Sequence, residues 1–301
     1  MGNHCLYTFI FLTTLCELFL SSCKKKEINY IFYYQKVNEI DSIYRIAGNP
    51  QLAIVEYKKL FSKYEPKNQE QIREYETYLI LADKHNINFG GKESLKKLIP
   101  LLAPNGNYYK TYFPLFKKYG IDSLNVKKQV SDWKKGLNQT LIDSFTIAMI
   151  RDREKRHIDI PLQERNVRKN ARFLIWVFKK YGFPTPQKMG TMGHNDTFFA
   201  MPTFLTHMNE AKEYYPYIKS KLFEYVKSGD CVPRDYALMV DNVAFLNDEE
   251  GIYRFNPNVS TDSVKINRNR KSIGLPSLKH TARIKKDQFM KSKENDTHTI
   301  K

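Results

Sequence analysis

Three side chains carry most of the chemistry this sequence could support: Asp152, His207 and Asp241. Asp152 and Arg156 stand four apart, which on a helix places them on one face and allows a surface ion pair. Alternatively, Asp152 turns toward His207. A histidine with one ring nitrogen held by a carboxylate has a fixed tautomer and can act as a general base or bind a ligand. His207 follows Phe204 by three and precedes Met208, so it equally suits a packed core position on an apolar helix face. Asp241 closes the run Tyr236-Ala237-Leu238-Met239-Val240. A carboxylate there needs a partner if it is buried, and Arg270 or Arg156 can supply one. Asn170 and Tyr236 are further polar groups beside apolar-patterned runs.

Burying such groups separately and unpartnered costs roughly 1–3 kcal/mol each. Asp152, Arg156, Asn170, His207, Tyr236, Asp241 and Arg270 are therefore expected to meet. The expected catalytic set is His207, Asp152 and Asp241. The expected binding set is Arg156, Asn170, Tyr236 and Arg270. No cofactor and no metal is expected. His194-Asn195-Asp196 offers adjacent donors, but there is no HExxH, no paired CxxC and no Asp-rich calcium loop. The Gly190–Gly193 turn lacks the Lys-Ser/Thr of a phosphate loop, and no GxSxG elbow occurs.

Positioning these groups falls to helices. The pattern predicts one from Leu141 to about His157 and another from Pro161 to Tyr181, with Asp159 as its cap. Gly182-Phe183-Pro184-Thr185-Pro186 ends the second, and a polar loop spans 187–196. Further helices are predicted near 197–210, 214–228 and 233–247, with a small hairpin over 252–266. Before them, 31–135 reads as punctuated helical hairpins. Gly48-Asn49-Pro50, Pro66-Lys67-Asn68, Gly90-Gly91 and Gly120 are the breaks. Leu52, Val55, Leu60 and Phe61 suggest one apolar stripe; Ile72, Tyr75, Tyr78, Leu79 and Ala82 suggest the next. The expected class is mainly α: helical hairpins, then a helical domain over 141–278 with a minor β element.

The N-terminus bears on the compartment. Residues 6–20, LYTFIFLTTLCELFL, are too short an apolar run for a membrane span of about 20 residues and suit a signal peptide over 1–22. Leu20-Ser21-Ser22-Cys23 resembles the bacterial lipobox, which implies cleavage before Cys23, lipidation of its sulfur and a tether over 23–30. Cys5 and Cys16 would leave with the signal and Cys23 would be acylated, so Cys231 alone remains and no internal disulfide is expected. The net charge of +17 favours acidic partners. Residues 279–301 read as a basic, disordered tail. For an exported chain, the expected partners are the membrane through its lipid, and a protein, peptide or anionic polymer. Nucleic acid is not expected.

Two resemblances add to this reading. Gly48, Ala53, Tyr57 and Phe61 fall where a degenerate tetratricopeptide repeat places its packing residues, over about 31–103; plain helical hairpins explain them equally. The second half carries an ordered set: Arg151–Arg156, Asn170-x-x-x-Leu174, Tyr181-Gly182-Phe183-Pro184-Thr185, His207, Gly229, Tyr236–Asp241 and Ile266–Arg270 running to Ile273-Gly274-Leu275-Pro276. This resembles an uncharacterised bacterial family, a domain of unknown function found in secreted and lipid-anchored proteins, over about 145–278. The resemblance implies a fold unit and a set of polar positions, not a reaction. The chain departs from the family pattern at Asn242, where an arginine is common. Two functions follow as expectations: an envelope lipoprotein that binds a partner, or an envelope hydrolase using His207 with Asp152 or Asp241.

Overall fold

The computed structural model describes residues 28–68, 72–255 and 262–299, with side chains to 290. The signal peptide, Cys23 and most of the tether lie outside the described residues. The fold is mainly α. In chain order the helices are α1 Tyr30–Arg45, α2 Pro50–Phe61, α3 Glu74–Lys84, α4 Gly91–Leu102, α5 Phe113–Lys118, α6 Ser123–Lys135 and α7 Gln139–Arg153. There follow α8 Ile160–Tyr181, the single turn α9 Pro186–Met189, α10 Met201–His207, α11 Tyr215–Ser228, α12 Pro233–Leu246, α13 Ser263–Ser272 and α14 Leu278–Thr299. Among the described residues, no helix is long and apolar enough to cross a membrane.

Local chemistry sets the helix starts. The side chains of Asn29, Asn49, Asn138 and Asp159 each accept an N–H from the first turn of α1, α2, α7 and α8. Pro50 and Pro161 stand in first turns, where a missing N–H costs nothing.

The helices enclose two apolar cores. The first is built from α1 to α6 and is rich in tyrosine: Tyr33, Tyr57, Tyr75, Tyr78 and Tyr112 are all buried. The second is built from α7 to α13 around Phe145, Leu174, Phe204 and Met208. Helix α1 joins them. Its Ile31 packs in the second core, while Tyr33, Val37 and Ile40 pack in the first. Gly229 and Gly274 make this possible. Both have positive φ, and a Cβ on either would lie 2.5 Å from the Tyr30 ring or 2.6 Å from the Tyr34 Cβ.

Four expectations need correction. In α2 the buried stripe is Ala53, Ile54, Tyr57 and Leu60, while Leu52 and Val55 face solvent. Spacing alone could not rank two overlapping apolar stripes. The 252–266 hairpin does not form: 252–254 is a bend and α13 starts at Ser263, with the Asp262 side chain accepting from Val264 and Lys265 N–H. The β content of the described residues is one isolated bridge, Met192 to Phe198. That bridge encloses a single 3-10 turn, His194–Asp196, so α10 begins at Met201 rather than 197. Finally, the stretch after 278 is helix α14, not a disordered tail. His280, Ile284 and Asp287 fall on one face at i, i+4 and i+7, and all three meet α1 or the first core.

Candidate functional site

Helix α7 ends at Arg153, and Lys155 and His157 take left-handed backbone in the turn that follows. That turn brings Arg156 back toward Asp152 although it lies outside the helix. His207, the last residue of α10, places Nδ1 2.8 Å from Asp152 Oδ2. A carboxylate accepting there puts the imidazole proton on Nδ1 and leaves Nε2 as an acceptor. Arg156 Nη1 is 3.7 Å from Asp152 Oδ1, and Arg156 Nη2 donates to Glu210 Oε1. Gln163 on α8 donates to the other Glu210 oxygen at 3.0 Å. Asp152, His207 and Arg156 thus form one network with Glu210 and Gln163, two residues the sequence did not single out. Asn170, fully buried on α8, sits beside it: it accepts from Arg151 Nη1 at 3.1 Å and donates to the Ala148 carbonyl at 3.2 Å.

Asp241, Arg270 and Tyr236 gather elsewhere, around the segment 251–255. Asp241 is fully buried and accepts the Tyr253 N–H at 2.9 Å and the Phe255 N–H at 2.8 Å. Arg270 donates to the Tyr253 carbonyl at 2.7 Å, to the Pro276 carbonyl at 2.6 Å and to Thr281 Oγ1 at 2.8 Å. The Tyr236 ring stands edge-on to Tyr253, centroids 6.3 Å apart. The seven expected residues therefore form two groups rather than one. The groups back onto each other where α10 packs on α12 and Asn242 Nδ2 donates to the Thr206 carbonyl at 3.3 Å. Asp241 acts here as a backbone clamp, a role for which accepting N–H groups is sufficient.

Neither group lines the cleft that holds Asp235. That cleft, about 350 Å³, lies between the two cores. Leu101, Pro104 and Asn105 reach it from the first; Phe183, Met201 and Asp235 reach it from the second. Two bonds fix its walls: Thr191 Oγ1 to the Pro104 carbonyl at 3.0 Å, and Trp133 Nε1 to the Gln187 carbonyl at 3.2 Å. Asp235 is the chemical feature. It is buried in the first turn of α12, and among the described residues its carboxylate takes part in no side-chain hydrogen bond or ion pair. Burial pushes its pKa up to about 7, against a partial pull downward from Arg234. A carboxyl that titrates near neutrality on a cavity wall can accept or donate, or pair with a ligand cation. Nothing in the residue pattern marks it. In Pro233-Arg234-Asp235 an acid in a first helical turn looks fully explained by the helix dipole.

No protein-family model, characterised protein or solved structure matches this chain. Function must be read from its own geometry.

Proposed function

We propose that the protein is a cell-envelope lipoprotein, anchored to a membrane through Cys23, whose body is a binding protein rather than an enzyme. The cleft between the two cores is its binding site, and residues 145–278 belong to the uncharacterised bacterial family they resemble. One observation carries the binding reading: a mostly apolar cleft of about 350 Å³ holds a buried carboxylate, Asp235, that among the described residues takes part in no hydrogen bond or ion pair. Apolar walls with a few polar groups, here Asp235 as the buried anchor beside Arg234, Asp230 and Gln187, are the usual make-up of a small-ligand or peptide site. The anchor's sign selects a ligand with an amine or another strong donor on an apolar body.

Phenethylamine tests this, followed by the fluorescence of Trp133, which is bonded to the cleft wall, in a Trp176→Phe background. Saturable binding at pH 8 is expected, weakened at least about tenfold in Asp235→Asn. Equal affinity of the two proteins, or no saturation, overturns the cleft as an amine site. Lipidation has its own test. A clickable fatty acid should label the protein in cells and miss Cys23→Ala.

A hydrolase using His207 with Asp152 or Asp241 is the second reading, supported by the 2.8 Å His207–Asp152 bond. Among the described residues, His207 lines neither the cleft between the cores nor the cavity bordered by Arg254 and Arg270. Protein, peptide and anionic-polymer partners all remain open to the binding reading. The anchor and the exported location weigh against nucleic acid.

A further inference from the structure

A second cavity, about 420 Å³, opens on the far side of Arg234 from Asp235's cleft. Its charged lining is uniform. Arg234 from α12, Arg254 from the 251–255 segment, Arg270 from α13 and Lys285 from α14 all border it, and no Asp or Glu does. Four cations from four separate elements repel one another across a shared space. Among the described residues, Arg254 and Lys285 make neither an ion pair nor a side-chain hydrogen bond, and Arg234 has only its attraction to Asp235.

The arrangement is held in place rather than accidental. Arg270 is only 2% exposed, and its guanidinium is fixed by the Tyr253 and Pro276 carbonyls and by Thr281 Oγ1. The Phe255 ring lies 5.2 Å from it. Arg254 occupies left-handed backbone, φ +64°, a conformation that non-glycine residues seldom adopt. The N–H groups on either side of it, of Tyr253 and Phe255, both bond to Asp241, so the buried clamp holds Arg254 at the rim. Preorganised donors of this kind lower the ordering cost of binding.

We infer that this cavity binds a phosphoryl group carried on an organic body. The guanidinium forks of Arg234 and Arg254 and the Lys285 ammonium, beside the fixed positive charge of Arg270, match the charge and multiple oxygens of a phosphomonoester better than a single carboxylate does. Thr281 adds a hydroxyl, and Phe255, Leu275 and Pro276 supply an apolar wall for the rest of the ligand. The site shares only Arg234 with the amine cleft, and the two tests turn on different residues, so each can fail without the other.

The test uses the full chain in a non-ionic detergent. Glycerol phosphate, titrated calorimetrically, is expected to bind with Kd below about 1 mM. Arg254→Ala/Lys285→Ala, both exposed positions, should weaken it at least about tenfold at an unchanged melting temperature. Lys92→Ala, on the first core's surface, should leave it unaltered. A second arm measures co-sedimentation with phosphatidylcholine vesicles with and without phosphatidic acid. Glycerol phosphate binding that needs Arg254 and Lys285 supports a soluble ligand. Vesicle binding that needs phosphatidic acid and both residues, with no glycerol phosphate binding, supports a lipid headgroup. Binding in neither arm, or an equal loss in Lys92→Ala, overturns the proposal.

Discussion

The two cores handle buried acids differently. In the first, each buried carboxylate is met by side chains, from its own helix or from a neighbouring element. Tyr33 donates to Glu74 at 2.8 Å, Tyr108 and Tyr112 donate to Glu76, and Arg45 and His280 flank Asp41. Part of the tyrosine there thus has a polar purpose beside its packing: the rings of Tyr33, Tyr108 and Tyr112 fill volume and their hydroxyls answer acids. In the second core, Asp241 is met by backbone N–H groups and Asp152 by His207, whereas among the described residues the Asp235 carboxylate takes part in no hydrogen bond or ion pair and has only the attraction of neighbouring Arg234. An acid that a fold needs for its own stability is given partners. An acid left without them on a cavity wall is held for something else, and that contrast separates Asp235 from the other five.

The contrast can be broken or sharpened by substitution, beginning with the largest effect. Asp241→Ala strands two N–H groups in the interior and should cost about 3–5 kcal/mol in urea denaturation. A loss under 1 kcal/mol would mean that the clamp on 251–255 is dispensable. Gly229→Ala tests the joint between the cores. A methyl driven against the Tyr30 ring, on left-handed backbone, should cost about 2–4 kcal/mol.

Asp235→Asn should act in the opposite direction. Its carboxyl titrates near 7 when folded and near its ordinary value when unfolded. Between pH ~4 and ~7 the folded state therefore holds the extra proton, and stability falls as pH rises through that window. Asn removes the penalty: no gain below pH ~4, and a gain of about 1–3 kcal/mol at pH 8, discounted because the cleft admits water. A destabilised variant at pH 8 would mean that Asp235 has a structural partner after all. Glu74, pushed up to about 7 by burial, titrates in the same window, so the wild type should keep part of its slope in Asp235→Asn.

His207→Gln divides the two functional readings. A purely structural His207 should cost about 1–2 kcal/mol on substitution, while a catalytic one should leave the melting temperature near that of the wild type. Smallest of all, Lys59→Ala breaks an exposed pair with Glu56 and should move stability by less than about 0.5 kcal/mol.

Much of the helical order was legible in the sequence, because caps and breakers act locally. Asp159 and Pro161 open α8, and Gly182 closes it at φ +72°. The Asp152–His207 bond was also within reach, since two polar groups beside apolar runs must find partners. Asp235 was not, because its isolation depends on what Leu101, Phe183 and Met201 bring around it, and those lie 34 to 134 residues away in the chain. Helix α14 escaped for a related reason. Its composition is that of a solvated tail, and only the placement of His280 and Ile284 against α1 makes it part of the fold.

Helix α1 is made well before α14. Asp41 on α1 is fully buried, and His280 Nε2, 2.7 Å from its carboxylate, comes 239 residues later. At ordinary rates of synthesis that interval lasts on the order of 10–50 s. During it Asp41 has Arg45, one turn on, as its ready partner, but the α14 side of α1 stays open to water. The first core can assemble early from α1 to α6, yet it closes only when α14 arrives, so any truncation after α13 leaves an open seam along the helix that both cores share.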